Sequence, residues 1–329
     1  MTELTHSKIF SQIKELLRSA KERIVSEVNT QMVYTYFEIG KIIVEHEQEG
    51  EQKAEYGKAT LKELSFKLIG EFGRGFSVDN LENMRKFYLV YGISETLSRK
   101  FKLSWSHYVA LIKLDDLSRK FYEIEATKNH WGVREMERQI ISQLFERLAI
   151  SKNDKEIQLL SQEGQIIEKP EDIMKEPYIL EFLGLENKQF TETELETKII
   201  DNLEHFLLEL GKGFAFMGRQ KRFSFENRHF YVDLVFYNRL LKCFVLIDLK
   251  LGEIKHQDLG QMQMYVNYYD RFEKLPDENK TIGILLCKKN NKAMVEITLP
   301  EGSNIFTKEY QLYLPTREQL EEQVIKVME

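Results

Sequence analysis

The sequence predicts a mostly helical N-terminal domain followed by an α/β domain in which a mixed sheet lies between helices. At 329 residues the chain is longer than one hydrophobic core usually supports. Apolar residues recur at three-to-four spacing through the first half, whereas the second half alternates between helix-like and strand-like segments. Alternation of this kind is typical of a layered α/β domain.

The first domain is expected to span residues 1–150 and to consist of helices. Apolar residues at helical spacing predict helices within 9–24, 61–72, 81–91, 106–114 and 133–148. Gly73 and Gly75 interrupt the chain before the third of these, and Ser77 or Asp79 could cap its first turn. A polar segment at 151–175 is expected to be a linker to the second domain, at 176–329.

The second domain has the predicted order α-β-β-β-α-β. The predicted elements are a helix at 193–210, strands at 214–225, 229–237 and 242–250, a helix at 257–269 and a strand at 281–287. The last strand is a continuous apolar run, which is typical of a strand buried on both faces.

The composition narrows the class of protein. Hydrophobic residues make up 42% of the chain and aromatic residues 12%, which excludes a disordered chain. The formal net charge of −6 argues against coating nucleic acid by bulk charge, but it does not exclude a local basic surface. Two cysteines are too few for a disulfide framework, and we find no signal peptide and no apolar run that could span a bilayer. We therefore expect a soluble cytoplasmic protein with no membrane partner.

Two acids and a lysine stand in predicted strands that are otherwise almost entirely apolar. Asp233 interrupts Tyr-Val-Asp-Leu-Val-Phe-Tyr, and Asp248 and Lys250 end Phe-Val-Leu-Ile-Asp-Leu-Lys. A carboxylate is disfavoured in such surroundings unless it is paired or binds a metal. Period-two geometry puts Asp248 and Lys250 on one face of their strand, and a hairpin turn near 238–241 would bring Asp233 nearly opposite Asp248. Together they would suit a hard, oxygen-preferring cation.

The two acids with the lysine, and the helix that follows them, each allow a second interpretation. The acids and the lysine could form a buried ion pair that only fixes the hairpin. The next predicted helix adds Gln261 and Tyr265, which the i, i+4 spacing stacks on one face. Gln261 could orient a water or a phosphate while Tyr265 packs beneath it, or the two could be a surface glutamine above a core tyrosine.

These residues resemble the PD-(D/E)XK nuclease superfamily, which has a carboxylate on the second strand and an acid-x-Lys on the third. The pattern Gln-x-x-x-Tyr on the next helix resembles its exonuclease and recombination branches. More closely, both halves of the chain resemble the YhcG-like family of bacterial nucleases, through the segments 75–88, 103–108, 206–220, 231–238, 260–262 and 282–287. The resemblance implies a restriction-endonuclease-like fold for the second domain. The third-strand acid, often Glu in the superfamily, is the shorter Asp248 here.

The resemblance also implies an enzyme that hydrolyses phosphodiester bonds, with DNA as the expected substrate, although no residue separates DNA from RNA. Asp233, Asp248 and the backbone carbonyl at Leu249 would hold Mg²⁺ or Mn²⁺, and Lys250 would act on the attacking water or the transition state. Family members usually add a glutamate from the first helix, and we prefer Glu204 over Glu209. The alternative is a non-catalytic nucleic-acid-binding or scaffold protein that keeps the nuclease fold.

Basic residues in both domains are candidates for binding nucleic acid. Near the predicted site these are Arg219, Lys221, Arg222 and Arg228, interleaved with Phe223 and Phe225. In the first domain, Arg85 and Lys86 lie on the polar side of a helix that could belong to a helix-turn-helix-like module. For both sets the alternative is a solvated charge run. The helical domain could instead form a homodimer or bind a separate protein partner.

Overall fold

The computed structural model describes residues 2–49, 54–92, 101–150, 152–186, 188–225 and 228–314. The chain divides into two compact units, Met1–Glu137 and Arg138–Glu329. No helix in the described ranges combines the length and the apolar character that crossing a bilayer requires.

The described part of the first unit is helical, as predicted. Its helices are α1 (Thr2–Glu49), α2 (Ala54–Phe72), α3 (Val78–Tyr91), α4 (Trp105–Leu111) and α5 (Asp116–Asn129), followed by α6 (Val133–Ile141), which runs across the division. Helix α5 was not predicted. Its stretch is strongly polar, and Asp115 caps it by accepting from the N–H groups of Leu117 and Ser118.

The core of this unit forms where α1 packs against α3. Leu81, Met84 and Phe87 of α3 are completely buried. A Cβ at Gly40 of α1 would lie 2.1 Å from the Met84 carbonyl oxygen, so glycine permits the close approach of the two backbones. Of the two predicted caps for α3, Ser77 is the one used, because its hydroxyl accepts from the N–H of Asn80 at 3.3 Å.

The segment predicted as a linker contains regular structure. Helix α7 (Leu144–Ala149) is separated from α6 by Gln143 at φ 55°, so the single predicted helix at 133–148 is two. Helix α8 (Asp154–Glu163) follows, and its N-cap residue Asn153 forms a reciprocal capping box with Glu156. A 3-10 turn at Pro170–Ile173 follows. The polar composition of 151–175 therefore reflects an exposed helix as well as connecting turns.

The second unit is built on a six-stranded mixed sheet between helices, which confirms the predicted α/β fold. Its further elements are β1 (Tyr178–Ile179), α9 (Glu192–Asp201), α10 (Leu203–Leu210), β2 (Phe214–Phe225), β3 (Arg228–Asn238), β4 (Cys243–Glu253), α11 (His256–Tyr268), β5 (Ile282–Lys289), α12 (Lys292–Thr298) and β6 (Ile305–Gln311). The strand order is β1-β6-β5-β4-β3-β2. Pairing is antiparallel from β2 to β4 and parallel from β4 to β6 and β1. The run from α9 to β5 is the predicted α-β-β-β-α-β order.

Two hydrophobic clusters enclose this sheet. One joins α9 and α10 to sheet residues such as Leu234 and Ile247. The other joins α11, through Met262 and Tyr265, to sheet residues such as Leu246. The alternation of Leu246 and Ile247 between the clusters shows that β4 is buried on both faces. Any polar side chain on β4 therefore needs a partner.

Candidate active site

The site lies where β3 and β4 separate. Their antiparallel pairing runs from Asn238↔Cys243 to Leu234↔Ile247, and the same register puts the next residue, Asp233, opposite Asp248. On its other edge β4 pairs with β5 from Val245 onwards, with Asp248 beside Leu285, and this pairing continues past the fork. The predicted hairpin therefore brings the two acids together as expected.

The Asp233 side chain makes hydrogen bonds at the point where the backbone pairing of β3 with β4 ends. Its Oδ2 accepts from the backbone N–H of Leu249 at 2.9 Å, and its Oδ1 accepts from Nε2 of Gln220 at 3.0 Å. Gln220 lies in β2 with φ 46°, a left-handed conformation that a non-glycine residue rarely adopts. Asp233 thus connects three strands through one side chain.

Asp248 is almost completely buried and ion-paired. It is 3% exposed, and its Oδ2 lies 2.6 Å from Nζ of Lys250. Burial, and next the neighbouring Asp233 carboxylate, raise the pKa of Asp248 to about 7, although Lys250 acts in the opposite direction. For Lys250, burial opposes the charged form, but Asp248 outweighs it and raises the pKa of the ammonium. Asp233, Asp248 and Lys250 therefore lie together in a site with little access to solvent.

A third carboxylate joins this group from α9. Glu196 is 6% exposed, and its Oε2 accepts from the same Nε2 of Gln220 at 2.6 Å. Burial raises the pKa of Glu196, and Asp233 adds to the rise. Sequence reasoning missed Glu196. The signal that could have found it is a glutamate one residue after Leu195 on the apolar side of the first helix.

The two predicted first-helix glutamates are located elsewhere. Glu204 is exposed on α10 and, within the described ranges, makes no hydrogen bond or ion pair with the site residues. Asn202, at φ −119° and ψ 35°, separates α9 from α10, so the one predicted helix is two. Glu209 is completely buried and lies 2.5 Å from Arg147, and it also accepts from the N–H of Ile179. The structure thus brings Glu196, and neither Glu204 nor Glu209, to Asp233.

Helix α11 covers the site with Gln261 and Tyr265. The Gln261 amide donates to the Tyr265 hydroxyl. Burial raises the pKa of Tyr265, and the charges of Asp248 and Asp233 contribute to the rise. Tyr265 is 1% exposed and belongs to the core, as the alternative interpretation expected, while Gln261 is half-buried beside it.

The predicted basic residues fall into two groups. Arg219, Lys221, Arg222 and Arg228 are all exposed on the β2–β3 hairpin. Arg219 is close enough to Glu196 for its charge to lower the pKa of that carboxyl. In the helical unit Lys86 is exposed, but Arg85 donates to Glu47 at 2.6 Å. Arg85 is therefore already ion-paired, which weakens its case as a phosphate contact.

The donor atoms suit a divalent cation. No group of three or more His, Cys, Asp or Glu side chains within the described ranges forms a ready metal cluster. Asp233 and Asp248 nevertheless converge beside Leu249, and carboxylate oxygens are ligands that Mg²⁺ and Mn²⁺ prefer, as is the Leu249 carbonyl oxygen that the resemblance implies. The mutual repulsion that raises the pKa of Asp248 is the kind that a bound cation relieves. The residues therefore fit the metal that the resemblance implies.

Comparisons with known proteins agree with this geometry. Residues 171–325 match the family described as the YhcG PDDEXK nuclease domain, and residues 12–147 match the DUF1016 N-terminal domain. The chain is 36% identical over 360 aligned residues to the candidate nuclease YhcG of Escherichia coli (strain K12), covering 99% of this chain and 95% of that protein.

Two solved structures also match part of the chain. One is a repair endonuclease from Pyrococcus abyssi, with a TM-score of 0.26 and 19% identity over 40% of this chain and 50% of that one. The other is an EndoMS–dsDNA2 complex, with a TM-score of 0.27 and 19% identity over 40% of this chain and 49% of that one. At such low TM-scores neither likeness supports an argument about this chain.

Proposed function

The chain belongs to the YhcG-like family of PDDEXK nucleases, and from this premise we propose that it is a metal-dependent deoxyribonuclease with its active site at the β3–β4 fork. The observation that carries the proposal is the convergence of Asp233, Asp248 and Lys250 in an almost entirely apolar sheet. An ion pair that only fixed the hairpin would need one acid. The second acid raises the electrostatic cost, which favours a functional explanation.

Asp233, Asp248 and the carbonyl of Leu249 would hold Mg²⁺ or Mn²⁺. A bound divalent cation supplies a water of lowered pKa and stabilises charge on the phosphate. Lys250 holds the attacking water and stabilises the negative charge that grows on the phosphate oxygens. Water oxygen forms the new bond to phosphorus while the P–O bond to the leaving sugar oxygen breaks. The water proton leaves to solvent or a nearby base, and the leaving oxygen takes up a proton from solvent to become a hydroxyl.

Glu196 and Gln220 support this arrangement. The single amide nitrogen of Gln220 donates to both Glu196 and Asp233, so it fixes the two carboxylates relative to each other. We propose Glu196 as the first-helix glutamate of the site. Gln220 is a positioning residue, and Gln261 orients water or phosphate from α11. Arg219 and Lys221 would contact the phosphate backbone beside the site.

The direct test is cleavage of plasmid and linear DNA in Mg²⁺ or Mn²⁺, with EDTA as the metal-free arm. The expected result is metal-dependent cleavage by the wild type and none by Asp248→Ala or Lys250→Ala. Asp201→Ala, an exposed acid at the end of α9, is the matched control and should cleave normally. Unchanged cleavage by Asp248→Ala would show that the active site lies elsewhere. Cleavage of RNA but not of DNA would show that the substrate is RNA. Binding without cleavage in any metal would favour the non-catalytic alternative.

The proposed cellular location rests on the two cysteines. Cys243 and Cys287 are buried free thiols, which suits a reducing compartment, so we propose a cytoplasmic location. A separate protein partner stays a hypothesis for the helical unit.

A further inference from the structure

Helix α1 carries a long apolar surface that stays largely exposed in the part of the chain that the structure describes. Nine large apolar side chains between residues 9 and 32 are 38–68% exposed: Ile9, Phe10, Ile13, Leu16, Leu17, Ile24, Val25, Val28 and Met32. We call this set the α1 stripe. Single exposed apolar residues are ordinary, but a continuous patch of this size marks an interaction surface.

The rest of the same helix shows what a covered face of α1 is like. Val33, Ile43 and Val44 are buried, at 0–7% exposure, and α1 packs closely against α3 there. The burial therefore changes abruptly near residue 33, although the apolar content continues on both sides of it. Among the described residues, the segment 102–104 lies beside α1 near Val25, and the nine side chains of the stripe nevertheless stay at least 38% exposed.

We propose that the α1 stripe is a homodimer surface, on which the same stripe of a second copy packs in the antiparallel direction. At 1.5 Å per residue the stripe is about 35 Å long. The exposed fractions correspond to roughly 1,000 Å² of residue surface per chain, of which a partner helix covers the part on its own side, and a standard stable interface buries about 800 Å² per partner. Two-fold pairing buries the patch on both copies at once, because such an interface is self-complementary.

Charge favours the antiparallel direction. Five basic residues accompany the stripe at positions 8, 14, 18, 21 and 23, and parallel pairing would set each beside its own copy. Antiparallel pairing centred between Ala20 and Lys21 instead brings Ile9 level with Met32 of the second copy, and Lys14 level with Glu27. Only Arg18 and Arg23 would then lie level with a residue of the same charge. It also opposes the two helix dipoles, which parallel pairing would align.

A dimer of this kind provides two nuclease domains, one for each strand of a duplex. The surface is independent of the proposed catalysis, because every residue of the stripe lies in the helical unit. Its test can therefore be read without measuring cleavage.

The first test is sedimentation equilibrium of the full chain from about 1 to 100 μM, a range that resolves dissociation constants in the micromolar region. We expect the wild type to dimerise and Leu17→Glu/Ile24→Glu to stay monomeric. Ile297→Glu, at an isoleucine 87% exposed on α12, is the matched control and should dimerise like the wild type. Circular dichroism checks folding, which exposed positions tolerate. A monomeric wild type, or a charged variant that still dimerises, overturns the proposal.

The second test fixes the direction. Ile9→Cys and Met32→Cys are made separately, because the two native thiols are buried and do not interfere. Under mild oxidation the mixture of both variants should form a disulfide that joins position 9 of one chain to position 32 of the other, and each variant alone should not cross-link. Efficient cross-linking of Ile9→Cys to itself would instead establish parallel pairing and overturn the antiparallel assignment.

Discussion

The carboxylate of Asp233 accepts a hydrogen bond from the backbone N–H of Leu249, at 2.9 Å across the β3–β4 fork. The side chain thereby satisfies a strand donor at the position where the regular ladder ends. One residue thus does two things: it holds the strands at a fixed separation, and it points its negative charge towards Asp248. Because the two roles use different properties of the carboxylate, a substitution can separate them.

Asp233→Asn is the substitution that separates them. The amide oxygen can still accept from Leu249, but the charged metal ligand is lost. We therefore expect cleavage to fall by roughly 100-fold or more, because the cation that would stabilise transition-state charge is held less tightly. In EDTA the variant should unfold at a temperature equal to or above that of the wild type, because repulsion of Asp248 disappears. A clearly less stable variant would show that Gln220 cannot adapt to the new amide.

The raised pKa of Asp248 predicts a pH dependence of the metal-free protein. Burial and Asp233 raise the pKa to about 7, against about 3.9 in an unfolded chain. Between these values the folded state binds more protons than the unfolded state, so stability falls as pH rises from about 4 to about 7, by at most about 1.4 kcal/mol per pH unit. Urea unfolding in EDTA at several pH values, beside Asp248→Asn, measures the difference.

Bound Mn²⁺ should oppose this fall of stability with rising pH. Because the proton and the cation compete for the same oxygens, the stabilisation that Mn²⁺ gives should grow as pH rises through about 7. Asp248→Asn should show little stabilisation at any pH. Equal stabilisation of both proteins would mean that Mn²⁺ binds elsewhere.

The sequence was sufficient to predict the centre of this site. Period-two alternation and a short hairpin place Asp233, Asp248 and Lys250 together with few degrees of freedom, and the predicted limits of β2, β3 and β4 lie within three residues of those observed. By contrast β6 and β1 were not predicted. Charged residues interrupt the apolar pattern of β6, and β1 has only two residues. Their pairing is set by the sheet rather than by local preference.

The choice among the first-helix glutamates depends on two local departures from regular structure. The break at Asn202 changes the direction of the helix, so a residue placed by extending one helix from 193 to 210 is wrong beyond the break. The left-handed conformation of Gln220 then connects Glu196 to Asp233. Neither feature has a sequence signal at these residue types.

Glu196 and Glu204 therefore make a matched pair for mutagenesis. We expect Glu196→Gln to lower activity by about 10–100-fold, as for residues that orient a metal ligand, with the loss concentrated at low metal concentration. Glu204→Gln, on the exposed side of α10, should retain wild-type activity. Cleavage rates across a Mn²⁺ titration distinguish the two. The reverse result would restore Glu204 as the first-helix acid.

Arg219 and Arg85 make a second matched pair, for nucleic-acid binding. If Arg219 contacts a phosphate, Arg219→Ala should weaken DNA binding and reduce the slope of log K against log salt by about 0.9. Arg85→Ala should change the slope little, because Arg85 is engaged by Glu47. Fluorescence anisotropy of labelled duplex DNA, in EDTA to prevent cleavage, gives both slopes. Equal slopes for Arg219→Ala and the wild type would place the DNA away from β2.

The buried network around Glu209 predicts where the nuclease domain is vulnerable to acid. Burial alone would raise the pKa of Glu209, but Arg147, Lys175 and Arg138 outweigh it and lower the pKa to about 2. An unfolded glutamate titrates near 4.3. The network therefore contributes its full stability above about pH 4.3 and loses it as pH falls towards about 2.

Glu209→Gln should accordingly be destabilised most at neutral pH, by about 3–5 kcal/mol, because it leaves the fully buried guanidinium of Arg147 without its counter-charge. The gap from the wild type should shrink as pH falls from about 4 to about 2. Urea unfolding at fixed pH values measures the gap, and Glu204→Gln on the same helix is the exposed control. Replacing both partners, in Arg147→Met/Glu209→Leu, should cost less than the sum of the two single variants, because each single variant leaves the other partner's charge buried without its direct counter-charge. A double variant as unstable as the sum of its single variants would contradict the network, since independent sites add.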